Sequence, residues 1–385
     1  MSEEKQGMLV LEDGSVFVGH SMGAEGEWVG EVVFDTAVTG YQEVITDPSC
    51  WGQMIVFTCP HIGNVGVNFE DVESKQPYAR AVIARKICAQ PSNWRAKQSL
   101  PEYLSEAGVP ALSGVDTRRL TLTLREEGIM RGALSTVNLD GERLLKMAQN
   151  APDMSVLSPV DEVSLSEETV WTQKLPRKWI KYVDYGGGSH KGTPHVVVVD
   201  CGVKYNILRH LATLGARVTV VPANSTAEAI LAQEPDGVLI SNGPGDPEQV
   251  PEETMIAIRE LMGKVPIFGI CLGQHLIALA AGARIFKLPF GHHGGNHPVQ
   301  NLKTGEVAIT SQNHNYAVDP DSLEDLPLEV THINLYDGTV QGIRHREWPV
   351  YAVQYHPENS PGPHDSLYVL EDFVASLCEK EPAAS

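Results

Sequence analysis

The sequence has 385 residues, 42% hydrophobic and 20% charged, which is material for two or three domains of ordinary globular composition. Twenty-nine basic against 49 acidic residues leave a formal net charge of −20, which repels phosphate backbones and anionic lipid and so argues against nucleic acid and membrane surfaces as partners. Residues 1–7 are polar and carry no signal-peptide stretch, and the longest apolar runs, 196–199 and 276–281, fall far short of the roughly 20 residues that span a bilayer. Six cysteines, at 50, 59, 88, 201, 271 and 378, include no CxxC pair. Such usage fits a reducing compartment, and a cytoplasmic location is expected.

The first stretch reads as β-rich. Two alternating runs, 9–11 and 16–18, flank Asp13-Gly14 and predict a hairpin. Further strands are predicted at 31–34 and 54–58, with a turn-rich piece at Thr46-Asp47-Pro48-Ser49 between them. A helix is predicted over 118–127, capped by Asp116 or Thr117. Between about 171 and 194 the pattern lapses, and the glycine-dense stretch 185–194 marks a linker that places a domain boundary near residue 190.

Beyond the linker the grammar changes. The valine run 195–200 predicts a strand buried on both faces. Helices at 204–214, 226–233, 252–262 and 272–281 then alternate with strands at 217–221, 237–241 and 265–270. This alternation predicts βαβ units and a mainly parallel sheet, whose sites lie in loops at the carboxyl ends of the strands.

Three such loops carry candidate chemistry. Gly269-Ile270-Cys271-Leu272-Gly273 sits between a buried strand and a helix, a nucleophile elbow with cysteine in the serine position, and the helix N-terminus should favour its thiolate. The bland alternative is a small buried hydrophobe. After the apolar stretch 350–355, His356-Pro357-Glu358 can place imidazole and carboxylate on one side of an extended chain, which makes a Cys-His-Glu triad from what alone would be a surface pair. In Ser241-Asn242-Gly243-Pro244-Gly245-Asp246 the glycines allow backbone N–H groups to approach a ligand, and with the N–H of Leu272 they could form an oxyanion hole; read alone, the segment is a plain turn.

Together these loops resemble the class I (triad) glutamine amidotransferase family. The resemblance extends over residues 9–377, because Gly30-Glu-Val-Val-Phe34, Thr39-Gly-Tyr-Gln-Glu43, Pro60-His-Ile-Gly-Asn64, Gly114-Val-Asp-Thr-Arg118, Gly291-His-His-Gly-Gly-Asn-His-Pro298 and Ser360-Pro-Gly-Pro-His-Asp365 look like the small-chain family of glutamine-hydrolysing carbamoyl-phosphate synthases. It implies an α/β protein with two domains: a β-rich α+β domain over 1–190 and a flavodoxin-like amidotransferase domain over 195–381. By resemblance Cys271 would be the nucleophile, His356 the acid and base, and Glu358 its orienter. Ser49, Gly243, Gly245, Leu272, Asn313, Asn315 and Tyr316 would contact L-glutamine. The family reads Gly-Phe where this chain has Asn315-Tyr316, a change that asparagine tolerates at positive φ.

A sharper departure follows the nucleophile. The family has Cys-Leu-Gly-His-Gln, with the glutamine contacting substrate, whereas this chain has Cys271-Leu272-Gly273-Gln274-His275. The two positions lie about 100° apart on a helix, so Gln274 cannot replace the missing group, and His275 is the candidate contact. The histidines at 292, 293, 297 and 314 have no cysteine or carboxylate at ligand spacing, so no metal is expected there. The resemblance implies no cofactor in this chain, and a large synthetase chain as partner, carrying ATP and Mg and using bicarbonate to make carbamoyl phosphate for arginine and pyrimidine synthesis. The other readings are a different triad amidotransferase, which would lack the leading domain, and a non-catalytic subunit, against which Cys271, His356 and Glu358 argue.

Overall fold

A computed structural model describes residues 5–153, 157–176, 178 and 192–378. The chain forms two compact units, one running to Leu157 and taking in Leu288–Gly294, the other comprising Ser158–Lys287 and the chain from Gly295. The division therefore falls some thirty residues before the boundary drawn near residue 190. Residues beyond Leu157 already belong to the second unit: Val160 is buried in its core, and β8 (Thr169–Trp171) pairs with β10 (Arg217–Pro222). Residues 185–191 of the glycine-dense stretch lie outside the described residues.

The N-terminal unit is a closed barrel of seven strands: β1 (Gln6–Leu11), β2 (Val16–Ser21), β3 (Glu27–Asp35), β4 (Gln53–Phe57), β5 (Ala81–Ala84), β6 (Ala111–Ser113) and β7 (Met130–Ser135). Its order is β1-β2-β6-β5-β4-β3-β7, closed by β7 against β1. The predicted hairpin is present, with Gly14 at φ 91 in its turn. Alternation sends Met54, Val56, Ala81 and Ile83 into one core cluster and Ile55, Phe57, Val82 and Ala84 into another, the latter packed with Ile45, Leu100 and Leu104. The predicted helix spans Thr117–Glu127, and Asp116 is its cap, accepting from the Arg119 N–H.

In the C-terminal unit β9 (His195–Asp200), β11 (Gly237–Ile240), β12 (Ile267–Ile270) and β17 (Val350–Val353) join β10 in a parallel core ordered β10-β9-β11-β12-β17. That order is the 2-1-3-4-5 of the flavodoxin-like doubly wound sheet. The valine run behaves as predicted, because Val196 and Val198 enter one cluster with the helices Tyr205–Thr213 and Tyr368–Cys378. Val197 and Val199 enter another, with the helices Glu252–Leu261 and Leu272–Ala280. Beyond β17 the sheet continues antiparallel through β16 (Val340–His345) and β15 (Leu328–Asn334) to β13 (Ile285–Asn301), with β14 (Val307–Val318) beside β13 at the edge. No described helix is long and apolar enough to cross a membrane.

Candidate active site

Strand β12 lies between β11 and β17, so the loops that follow these three strands open on one carboxyl edge. Cys271 leaves β12 and caps the helix Leu272–Ala280 at φ 54, ψ −105, a left-handed conformation rare outside glycine and worth about 1–3 kcal/mol of strain. Packing enforces the elbow. The Cys271 N–H donates to the Val353 carbonyl at 2.9 Å, and a Cβ on Gly273 would meet the Ile240 carbonyl oxygen at 2.2 Å. The helix thus crosses the strand at a separation that only glycine permits.

His356 follows β17, held by its N–H donating to the Ser311 carbonyl at 2.9 Å. Its Nδ1 hydrogen-bonds Glu358 Oε1 at 2.8 Å, with both side chains buried. Burial opposes charge on this imidazole, but the Glu358 carboxylate and the Cys271 sulfur beside it outweigh burial and raise its pKa to about 10. The structure therefore brings the sequence-predicted Cys271, His356 and Glu358 together. Cys271 Sγ also lies 3.6 Å from the Asn313 carbonyl, placed to donate to it.

Lys204 was not singled out from the sequence. It is 1% exposed, and its Nζ donates to Glu358 Oε1 at 2.7 Å and to the Ser360 carbonyl at 2.5 Å. Burial works against ionised Glu358, yet the Lys204 ammonium and His356 hold its pKa well below the carboxylate range. The result is a buried row of alternating charge, Lys204–Glu358–His356, ending beside Cys271. A lysine before an amphipathic helix reads as a solvated residue, but it lies after β9, on the same strand-end edge, and that position was the available signal.

Of the expected substrate contacts, Gly243 and Gly245 sit in the loop after β11, and Leu272 follows Cys271 after β12. Gly245 has φ 93 and requires glycine; Leu272 is the first helical residue, where an N–H has no partner within the helix. Asn313, Asn315 and Tyr316 lie in β14. Asn315 is absent from the left-handed residues, so the positive φ expected there is not used: the segment continues as strand and needs no turn. Ser49 lies in the N-terminal unit, buried in the short turn Pro48–Cys50, its N–H donating to Asp47 Oδ1 at 2.8 Å.

Gln274 and His275 are both buried. Gln274 turns to the end of β17, its Nε2 donating to Gln354 Oε1 at 3.3 Å. Burial pushes the His275 pKa down to about 4 against support from the Tyr316 carbonyl and Gln354, leaving a neutral ring whose Nε2 has no hydrogen-bond partner. The His314 ring bridges the Tyr316 carbonyl and Gln312 Oε1, and His297 approaches Asn334, both structural roles. Among the described residues no group of three or more His, Cys, Asp or Glu side chains is placed to hold a metal ion.

A cysteine elbow with a buried His-Glu pair on a doubly wound sheet defines a class, and residues 197–376 match the family model described as glutamine amidotransferase class-I. Residues 9–134 match a second model, carbamoyl-phosphate synthase small chain, CPSase domain. Over 372 residues the chain is 51% identical to the carbamoyl phosphate synthase small chain of Aquifex aeolicus (strain VF5), covering 96% of this chain and 98% of that one. Proteins of the same description from Nostoc sp. (strain PCC 7120 / SAG 25.82 / UTEX 2576) and Listeria monocytogenes serotype 4b (strain F2365) are 49% and 50% identical. They cover 98% and 97% of this chain, and 96% and 97% of their own lengths. The chain belongs to the carbamoyl phosphate synthase small chain family.

Proposed function

We propose that this chain is the glutamine-hydrolysing subunit of a carbamoyl-phosphate synthase, with Cys271 as nucleophile. The observation that carries the reading is the buried row Lys204–Glu358–His356 beside a cysteine in a strained elbow. Cys271 thiolate attacks the side-chain carbonyl carbon of glutamine, and the oxyanion is held by backbone N–H groups of Leu272 and the Gly243–Gly245 loop. His356, protonated at neutral pH, gives its proton to the amide nitrogen as the C–N bond breaks, releasing ammonia and leaving a thioester. Water then gives a proton to His356 and attacks the thioester carbon. The C–S bond breaks and glutamate leaves. His275, Asn313, Asn315 and Tyr316 complete the proposed substrate contacts.

Free ammonia becomes ammonium at neutral pH and loses its nucleophilicity, so its use requires delivery to a second site. The proposed recipient is a large synthetase chain, which with ATP, Mg and bicarbonate makes carbamoyl phosphate in the cytoplasm for arginine and pyrimidine synthesis. Assays of the chain alone and with that partner test the reading. Cys271→Ser should abolish glutamine-dependent synthesis and spare synthesis from ammonia; glutamine use persisting in the variant would overturn it.

A further inference from the structure

Strand β14 and the loop after β11, which both approach the Cys271 elbow, are tied to each other. Tyr316 Oη donates to Asp246 Oδ2 at 3.1 Å, joining the Asn313–Tyr316 segment to the loop carrying Gly243 and Gly245. Neither end of the tie is loose. Asp246 uses its other oxygen, Oδ1, to accept from the Glu248 N–H at 2.9 Å, capping the short turn Pro247–Gln249. The Tyr316 carbonyl takes the His314 ring at 2.7 Å, and the Lys287 ammonium stands 6.0 Å from the centre of the Tyr316 ring. The other end of each segment reaches the elbow: the Asn313 carbonyl lies 3.6 Å from Cys271 Sγ, and a Cβ on Gly243 would approach the side chain of Leu272, the residue after the cysteine, at 2.9 Å. Gly243 to Asp246 and Asn313 to Tyr316 therefore form two arms of a rim that both reach the Cys271–Leu272 elbow and are joined by one phenol–carboxylate hydrogen bond.

We propose that Tyr316 and Asp246 form a latch that fixes the spacing between strand β14 and the Gly243–Asp246 loop before substrate arrives, making both positioning residues for glutamine binding. A rim already ordered spares the substrate the entropy of ordering it, so the latch acts on binding more than on bond making. The inference rests on the glutaminase reading above. It attributes the effect to the phenol hydroxyl alone, which makes Tyr316→Phe, an isosteric change, the primary variant.

The test measures glutamine hydrolysis by the complex of this chain with its large partner. Tyr316→Phe and Asp246→Ala should each raise KM for glutamine about 3–10-fold with kcat changed less than twofold, the loss expected for one ordinary hydrogen bond. The double variant should be no worse than either single one, and Asp246→Asn, which keeps an acceptor, should recover most of the wild-type KM. Independently of turnover, alkylation of Cys271 by iodoacetamide, followed by mass spectrometry, should be faster in Tyr316→Phe. Unchanged KM and alkylation in that variant would overturn the latch, as would additive effects in the double variant. A wild-type complex that hydrolyses no glutamine would instead overturn the parent reading, with the alkylation rates still reporting on the rim.

Discussion

Replacing Lys204 by Met tests the buried charge row most severely. Lys204 and Glu358 are 1% and 0% exposed, and their 2.7 Å contact leaves no room for water to stand in for the ammonium. Methionine fills similar volume and removes the charge. Breaking a buried ion pair from one side costs about 3–5 kcal/mol, because the surviving charge stays desolvated. The cell around Glu358 can escape part of that cost by protonating the carboxyl, and one pK unit is worth about 1.4 kcal/mol. Glu358 then ceases to fix the His356 tautomer over part of the working range. Denaturant unfolding should show a loss of about 3–5 kcal/mol, and the acid limb of the kcat/KM profile should move up by about 1–2 pH units. Lys204→Met/Glu358→Gln, with both charges gone, should regain much of the stability while remaining poorly active. A single variant within 1 kcal/mol of wild type and with an unmoved acid limb would refute the reasoning.

The remaining expectations concern the same edge of the sheet. Gly273→Ala drives a methyl into the Ile240 carbonyl, a backbone neighbour that cannot rotate away, so it should lose about 3 kcal/mol in denaturant unfolding and depress kcat by tilting the elbow. His275→Gln should lower KM for glutamine, since a neutral ring with an unpartnered Nε2 is replaced by an amide able both to donate and accept; equal KM values would remove the idea. The stabilisation carried by His356 is complete below its ordinary pKa of 6.5 and is lost as pH rises through about 10. That of Glu358 is complete above 4.5 and is lost as pH falls through its depressed value. Their joint contribution should peak between about pH 4.5 and 6.5, and unfolding measured across pH should lose that peak in His356→Ala.

Local features made the C-terminal unit readable. The valine run, with both faces buried, and the alternation of short apolar strands with helices required parallel pairing, and the strand-end rule then pointed to Cys271, His356 and the Gly243 loop. The barrel was less legible. Its strands β5 and β6 have only four and three residues, Ala81–Ala84 and Ala111–Ser113, too short to show a period. Its closure depends on pairing β1 with β7, which no local pattern encodes. The glycine-dense stretch drew the boundary too late, because composition marks where the chain can bend and packing decides which residues cohere. Lys204 escaped notice for a related reason: its partner Glu358 lies 154 residues away, and only the fold makes them neighbours. The Asn315-Tyr316 departure looked like a turn substitution, yet the backbone there is strand and the new hydroxyl has its own partner in Asp246.

The central claim is that Cys271 carries the glutamyl group, and acid quenching of the complex during turnover of labelled glutamine measures this directly. Peptide mapping should place the covalent label on the peptide containing Cys271, as an acid-stable thioester cleaved by hydroxylamine and absent from Cys271→Ser. Label on another residue, or sustained hydrolysis in Cys271→Ser, would contradict the account.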